Sequence, residues 1–499
     1  MKGGTDSLAA LRQRLRAVAE VLLDEVPEPH DDVARDAADL LSALVAMARD
    51  SLRADHAWLL HTAVSGHLPV ADDVEDLRRY LELCTSAAEA EIGLLRRGIE
   101  VIDDFGEIDR EMVIAVGTVV VDVDHAARRN RHTGIQRVTR ELCTRWSRSH
   151  DLTLVVWDEL ETSLRGLAPH EESRVLRWAG PHHATAADRA ESADAPVVVP
   201  WRCTLLLPEV AQGMTALPLA ALAQYSGNEV VAVGYDAIPV TSADLRPPGE
   251  PNMYVRYLNV IKHTSRVAGI STTAAAEFRG FAEAVVAQGL PGPEVTEVML
   301  AAEVPAGQRR EATPAPARPR VVCVGSHEVH KNHLALLHAA ELCWRQGLDF
   351  ELTFIGGPGW ASPAFDPVAD GLARAGRPIH VLGNVTDDAL WEAYRTAAFT
   401  VFPSVHEGFG LPVAESIACG TPAITTRYGS TGEIAARGGC LVVDPRDDHQ
   451  LAAAIRTMLT DPATYARLRT EAGAAPVRTW ETYANELWEA LVPGNGARS

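Results

Sequence analysis

Two glutamates, Glu407 and Glu415, bracket the turn Gly408-Phe409-Gly410-Leu411-Pro412. An apolar run, Ala398-Phe399-Thr400-Val401-Phe402, leads into the turn and breaks at Pro403. Pro412 stands where a helix can restart, because the first helical N–H groups have no partner to lose. The segment therefore predicts strand, glycine turn and helix. Such a turn aims free backbone N–H groups and the positive end of a helix dipole out of the carboxyl edge of a sheet, which suits phosphate. A carboxylate beside phosphate is repelled, so the two glutamates suit hydroxyls, such as those of a sugar and a ribose. One ligand carrying hydroxyl, diphosphate and hydroxyl is a nucleotide sugar.

Other residues fit the same ligand. Val321-Val322-Cys323-Val324-Gly325 reads as a strand ending in glycine, and Lys331 follows where loop becomes helix, a place for an ammonium on a diphosphate. The stretch 125–142 is a basic loop feeding an amphipathic helix, with Thr133-Gly134 at the helix start. Its Arg140, Arg145 and Arg148 read as a solvated face. Asp236 follows the apolar run 229–233, at the end of a strand, where open sheets bind ligands; it could equally cap the next loop.

The run Glu407-Gly408-Phe409-Gly410-Leu411-Pro412-Val413-Ala414-Glu415 resembles the E-x7-E signature of glycosyltransferase family 4, retaining enzymes of GT-B fold. Thr133 to Val138 resembles that family's first glycine loop, which places Gly134 at the cleft. Tyr235-Asp236-Ala237-Ile238-Pro239 resembles its [HY]-D-x-I-P segment on the acceptor side. Ser326 to Asn332 resembles G-T-x-E-x-R-K-N, with Ser326 for Thr and His330 for the Arg before Lys331; Arg128, Arg131 and Arg137 are the candidates to supply the missing charge. Gly383 to Leu390 resembles the turn where the nucleobase sits, at Val385, and Thr386 would also cap the following helix.

The resemblance implies transfer of a sugar from a nucleotide diphosphate sugar to a hydroxyl acceptor with retention. Glu407, Lys331 and Asp236 would be catalytic. Gly134, Gly325, Lys331, Val385, Glu407, Gly408, Phe409, Gly410, Leu411 and Glu415 would hold the donor. Neither an obligatory cofactor nor a metal is implied. Two rivals are a non-catalytic glycosyltransferase-like subunit acting through its N-terminal helices, and a GT-B epimerase or phosphorylase.

With 499 residues, 47% hydrophobic and 23% charged, the chain is long enough for two or three soluble domains. A formal charge of −21 argues against nucleic acid as a general partner. Seven scattered cysteines with no C-x-x-C pair read as small buried side chains in a reducing compartment. No run is long and apolar enough for a membrane span, and residues 1–6 lack an apolar signal core, so a cytoplasmic location is expected.

The fold expected is α/β: GT-B, two facing doubly wound Rossmann-like domains after an all-helical module. Helical spacing of Leu8, Leu11, Leu15, Val18 and Leu22, and later of Leu40, Leu41, Leu44 and Val45, defines that module at 1–108, a candidate for partner contact or homo-oligomerisation. Its His56, His61 and His67 read as scattered exposed residues. An acceptor domain at 109–303 follows, then a Pro- and Ala-rich linker at 304–319, the natural hinge. The nucleotide-sugar domain is 320–478, and the end, 479–499, is a helix packing back on the first domain, with a tail.

Overall fold

The computed structural model describes residues 3–105, 109–130, 134–180, 185, 188, 195–305 and 318–494. Most of the expected linker, the loop residues 131–133 and the tail beyond 494 lie outside the described residues.

Five helices open the chain: α1 (Gly3–Leu22), α2 (Val33–Ser51), α3 (Ala54–Ser65), α4 (Ala71–Leu83) and α5 (Ala87–Phe105). The Asp32 side chain caps α2 by accepting from the N–H groups of Ala34 and Arg35, and Gly66, at φ 77°, closes α3 in the left-handed conformation that glycine adopts freely. Helix α3 is buried nearly all round, from Ala57 to Ser65, so it shows no amphipathic stripe in sequence. His61 and His67 lie in this interior instead of on the surface, and burial lowers His61 to about 4. His67 Nδ1 pairs with Thr162 Oγ1 at 2.8 Å, and buried Arg14 donates to the carbonyls of Ala63 at 2.8 Å and Arg110 at 2.7 Å. Leu15, Leu40, Trp58 and Leu60 share one apolar core with Val155, Val197, Leu205 and Val230 of the first sheet. The helices thus form the layer that covers one face of that sheet.

The first sheet contains β1 (Met112–Ala115), β2 (Val119–Asp122), β3 (Leu152–Trp157), β4 (Leu164–Gly166), β5 (Val197–Pro200), β6 (Thr204–Leu207), β7 (Glu229–Gly234), β8 (Arg266–Gly269) and β9 (Glu294–Glu297), in the order β1-β5-β4-β3-β2-β6-β7-β8-β9. All pairs are parallel except those of β4, which runs against both neighbours. Strands β4 and β9 are too short or too polar to show as apolar runs. At the switch point between β2 and β6, Glu209 accepts the N–H groups of His125 at 2.7 Å and Ala126 at 2.9 Å, which anchors the first turn of the short helix Asp124–Arg128. Arg140 lies inside this lobe, not on a solvated face: it donates to the carbonyls of Arg174 and Ala126 and stacks 3.7 Å from the Trp178 ring centre.

The second sheet is fully parallel: β10 (Arg320–Val324), β11 (Glu351–Ile355), β12 (Ile379–Leu382), β13 (Phe399–Phe402), β14 (Ala423–Thr426) and β15 (Cys440–Val443), ordered β12-β11-β10-β13-β14-β15. Chain order reverses between β10 and β13, and a crevice opens at the carboxyl ends of strands at such a point. Gly325 and Pro403 leave the sheet there. The last helix, Trp480–Leu491, returns to the first lobe, where Trp146 Nε1 donates to the Ala484 carbonyl at 3.0 Å and His150 stacks on Trp488 at 3.7 Å.

The close packing of the loops after β10 and β11, beside the switch point, rests on a glycine. A Cβ on Gly356, whose φ is 159°, would lie 2.1 Å from the Gly325 carbonyl oxygen, a backbone atom that cannot move aside. Gly356→Ala is expected to destabilise the second lobe by at least about 2 kcal/mol, read as a lowered midpoint in urea denaturation.

Candidate active site

Strand β13 is buried along its whole length and carries the chain to Pro403 at the crevice. Gly410, at φ 95°, turns it into the helix Leu411–Ala418, with Pro412 in the first turn. On the neighbouring strand, β10 ends at Gly325, and a one-turn 3-10 helix, Val329–Lys331, presents Lys331. Asn332 closes that turn at φ 57°, and its Nδ2 donates to the carbonyls of Pro445 at 2.8 Å and Pro403 at 3.3 Å. One amide thus ties together the loops leaving β10, β13 and β15. Lys331 Nζ meets both carboxylate oxygens of Glu407, at 2.7 and 2.8 Å, and its methylenes pass 3.8 Å from the point a Cβ on Gly325 would occupy. Gly325, Lys331 and Glu407 therefore form one group.

Glu415 is buried and doubly bonded. Arg137 Nη1 of the first lobe donates to one oxygen at 2.5 Å and the Tyr394 hydroxyl to the other at 3.0 Å. Arg137 also lies 5.7 Å from the ring centres of both Trp391 and Trp480. Burial opposes its charge, and Glu415 more than restores it, leaving the guanidinium above its ordinary value. Gly134, at the start of the same helix, faces the turn: its Cβ position is 3.5 Å from Leu411 Cδ1.

The first lobe presses on the turn from the other side. A Cβ on Gly408 would stand 2.5 Å from the Tyr235 carbonyl and 2.9 Å from Asp236 Oδ2, so only glycine permits this approach. Ser271 Oγ donates to the Gly408 carbonyl at 2.7 Å while also capping its own helix, Thr272–Val286. Phe409 is buried in a core that includes Tyr235 and Ile270 of the first lobe and Val413 of the second. The Tyr235 side chain turns inward to the Pro208 carbonyl at 2.7 Å, so of the Tyr-Asp pair only Asp236 brings its side chain to the turn. Its Oδ1 accepts from Ile238 N–H at 3.1 Å, and burial beside Glu277 and Glu407 pushes it up to about 6. Val385 packs against the cluster of Val322 and Ile355, next to a helix that Thr386 caps.

Several residues at this seam carry no signal in the sequence. Arg246 Nη1 of the first lobe reaches Glu328 Oε2 at 3.1 Å and His330 Nδ1 at 3.2 Å. Burial, then Lys331, lowers His330 to about 3, so the ring is neutral and can accept. Glu433 of the second lobe accepts from Thr272 N–H at 3.0 Å and Thr273 N–H at 2.7 Å, across the seam at a helix start. His406 joins Glu277 and Ser242, each at 2.9 Å. The candidates for added positive charge divide: Arg137 crosses to the second lobe, Arg128 instead pairs with Asp124 and Glu159 of its own lobe at 3.1 Å, and Arg131 lies outside the described residues. Among the described residues, no helix is long and apolar enough to cross a membrane, and no group of three or more His, Cys, Asp or Glu could hold a metal ion.

Two facing α/β lobes, the second with a strand-order switch point, constitute the GT-B fold, and residues 307–474 match the family described as Glycosyl transferases group 1. Anabaena HepE, crystallised with UDP and glucose, shares the fold at a TM-score of 0.55 and 12% identity, over 75% of this chain and 99% of that one. The chain is 31% identical over 170 residues to O-antigen chain mannosyltransferase B of Escherichia coli, covering 34% of this chain and 44% of that protein. It is 23% identical over 391 residues to the serotype-specific mannosyltransferase WbdA of the same species, covering 71% of this chain and 44% of that protein. The matched stretches thus span less than half the length of each of these two relatives.

The raised Asp236 sets a pH dependence. Its folded value of about 6 exceeds the ordinary carboxylate value, so the stability it contributes is complete below about pH 4 and is lost as pH rises through about 6. Asp236→Asn is expected to flatten that part of the profile, so that the melting temperature of the parent falls relative to the variant between those two pH values.

Proposed function

We propose that the chain transfers a sugar from a nucleoside diphosphate sugar to a hydroxyl acceptor, with retention at the anomeric carbon. The observation that carries this reading is the Lys331–Glu407 pair at the switch point of the second sheet, facing Asp236 of the first lobe across a glycine turn. The group 1 match over 307–474 supports it, as do relatives that are named mannosyltransferases.

In this reading the second lobe holds the donor. The turn amides of 408–411 and the start of the helix Leu411–Ala418 receive the diphosphate, Lys331 offsets its charge, and Glu407 accepts from donor sugar hydroxyls. As the glycosidic bond to the diphosphate breaks, positive charge grows on the sugar ring and negative charge on the leaving phosphate. Groups fixed in advance at those places lower the barrier because they need not reorganise. The acceptor hydroxyl enters from the first lobe beside Asp236, which in its ionised form accepts that hydroxyl's hydrogen bond. Closure of the lobes excludes water and so favours transfer over hydrolysis. Fixed positive groups take the role a divalent cation could play, so no obligatory metal or cofactor is proposed.

Glu415 is the ribose ligand in this scheme, and Arg137 then competes with ribose for the same carboxylate. Binding the donor exchanges one partner for the other and frees the guanidinium beside the diphosphate.

Lys331→Ala and Glu407→Ala are each expected to lower turnover by at least about 100-fold, measured as nucleotide release and product formation across a panel of nucleotide sugars. Parent-like turnover in both folded variants would sink the assignment. Arg137→Met leaves Glu415 buried with one partner fewer and should cost about 3 kcal/mol of stability. Added nucleotide should then raise the melting temperature of this variant more than that of the parent, since ribose restores the missing partner.

A further inference from the structure

His406 immediately precedes Glu407, yet both of its ring nitrogens are engaged by the first lobe: Nε2 with Glu277 Oε1 and Nδ1 with Ser242 Oγ, each at 2.9 Å. The His406 and Glu277 side chains are mostly withdrawn from solvent, 17% and 13% exposed. The other oxygen of Glu277 accepts the Ala237 N–H at 2.7 Å, so a single carboxylate ties the imidazole to the backbone beside Asp236. We propose that His406 is a positioning residue: through Glu277 and Ser242 it seats the Glu407 turn against the Asp236 loop, making the placement of Glu407 depend on contact between the lobes.

Three observations on the turn lead to this role. The carbonyl of Glu407 accepts from Ser430 Oγ at 2.7 Å, a second-lobe bond. The carbonyl of Gly408 accepts from Ser271 Oγ at 2.7 Å, a first-lobe bond, and Lys331 orients the Glu407 carboxylate itself. Nothing in that set holds the chain just before Glu407 against the first lobe except the imidazole. Charge points the same way. Asp236 and Glu277 come from the first lobe and Glu407 from the second, with Lys331, His330 and Arg246 the neighbouring basic groups; hydrogen bonding to Glu277 raises His406 above its ordinary value despite burial. Glu277, Asp236 and Glu407 all favour the protonated ring, so replacing it removes the basic group that these three carboxylates share.

The role rests on the proposed transfer reaction for its catalytic consequence, though not for its structural one. Hydrogen exchange on the full chain tests the second directly. In His406→Leu and in Glu277→Gln, amides of the turn 404–410 are expected to exchange at least about 10-fold faster, with those of β13 unchanged. Unchanged exchange in the turn overturns the proposal whatever the enzyme transfers.

Kinetics test the first, using GDP-mannose and UDP-glucose as donors and calorimetry with GDP and UDP as binding probes. Each variant should lose about 10-fold or more in kcat while its affinity for free nucleotide stays within about 2-fold, because Glu407 meets the donor sugar and not the nucleotide. The double variant should fall no further than the worse single variant, as expected for residues acting as one unit. Multiplying effects, or a loss of nucleotide affinity in step with kcat, overturn it. Parent-like turnover in Lys331→Ala and Glu407→Ala counts against the transfer reading instead, and the exchange result then decides the role of His406 alone.

Discussion

The bidentate contact between Lys331 and Glu407 is the constraint around which the second lobe is arranged. An ammonium and a carboxylate withdrawn from water are each costly alone and tolerable as a hydrogen-bonded pair. The pair can form only if the loops after β10 and β13 leave the sheet side by side, which the reversal of strand order between them secures. Asn332 then fixes their spacing by bonding the carbonyls of Pro403 and Pro445, and Gly356 lets the loop after β11 close against Gly325. Each of these features serves the same end, a charged pair held at the carboxyl edge of a sheet with little freedom to move.

The seam between the lobes follows a related logic. It is lined with charges from both sides: Arg137 meets Glu415, Arg246 meets Glu328, His406 meets Glu277 and Glu433 meets the start of the helix Thr272–Val286, while Asp236 and Glu407 face each other as like groups. Apolar packing alone would let two surfaces slide, whereas paired charges and directional hydrogen bonds specify one register. Phe409 supplies the apolar centre of this contact. Both lobes therefore contribute to the candidate site, and no single lobe contains all of it.

The N-terminal helices show how far covering layers can extend from the chemistry. Their apolar faces complete the core of the first sheet, and polar anchors such as Arg14 and His67 keep them in register with it. The strands they cover include β7, whose end lies two residues before Asp236.

Much of this was legible in the residues alone, for a physical reason in each case. Strands β3 and β6 show as β-branched and leucine-rich runs because both faces of a parallel sheet are buried. The turn at 408–410 and the start of the helix Leu411–Ala418 show because glycine and proline have few alternatives in backbone conformation. Burial of Arg140, His61 and His67 was hidden, since a polar side chain enters a core only where distant carbonyls or hydroxyls happen to meet it. Edge strand β9 was hidden because half-exposed polar residues leave no apolar pattern. At the site, local sequence determined Gly325, Lys331, Glu407 and the glycine turn, whose roles depend on neighbours along the chain and on strand ends. Tertiary structure alone decided that Arg137 takes Glu415, that Arg246 meets His330, and that His406 belongs to Glu277 and Ser242. Those partners lie on opposite lobes, far apart in sequence, and only the meeting of two folded surfaces brings such charges within hydrogen-bonding distance.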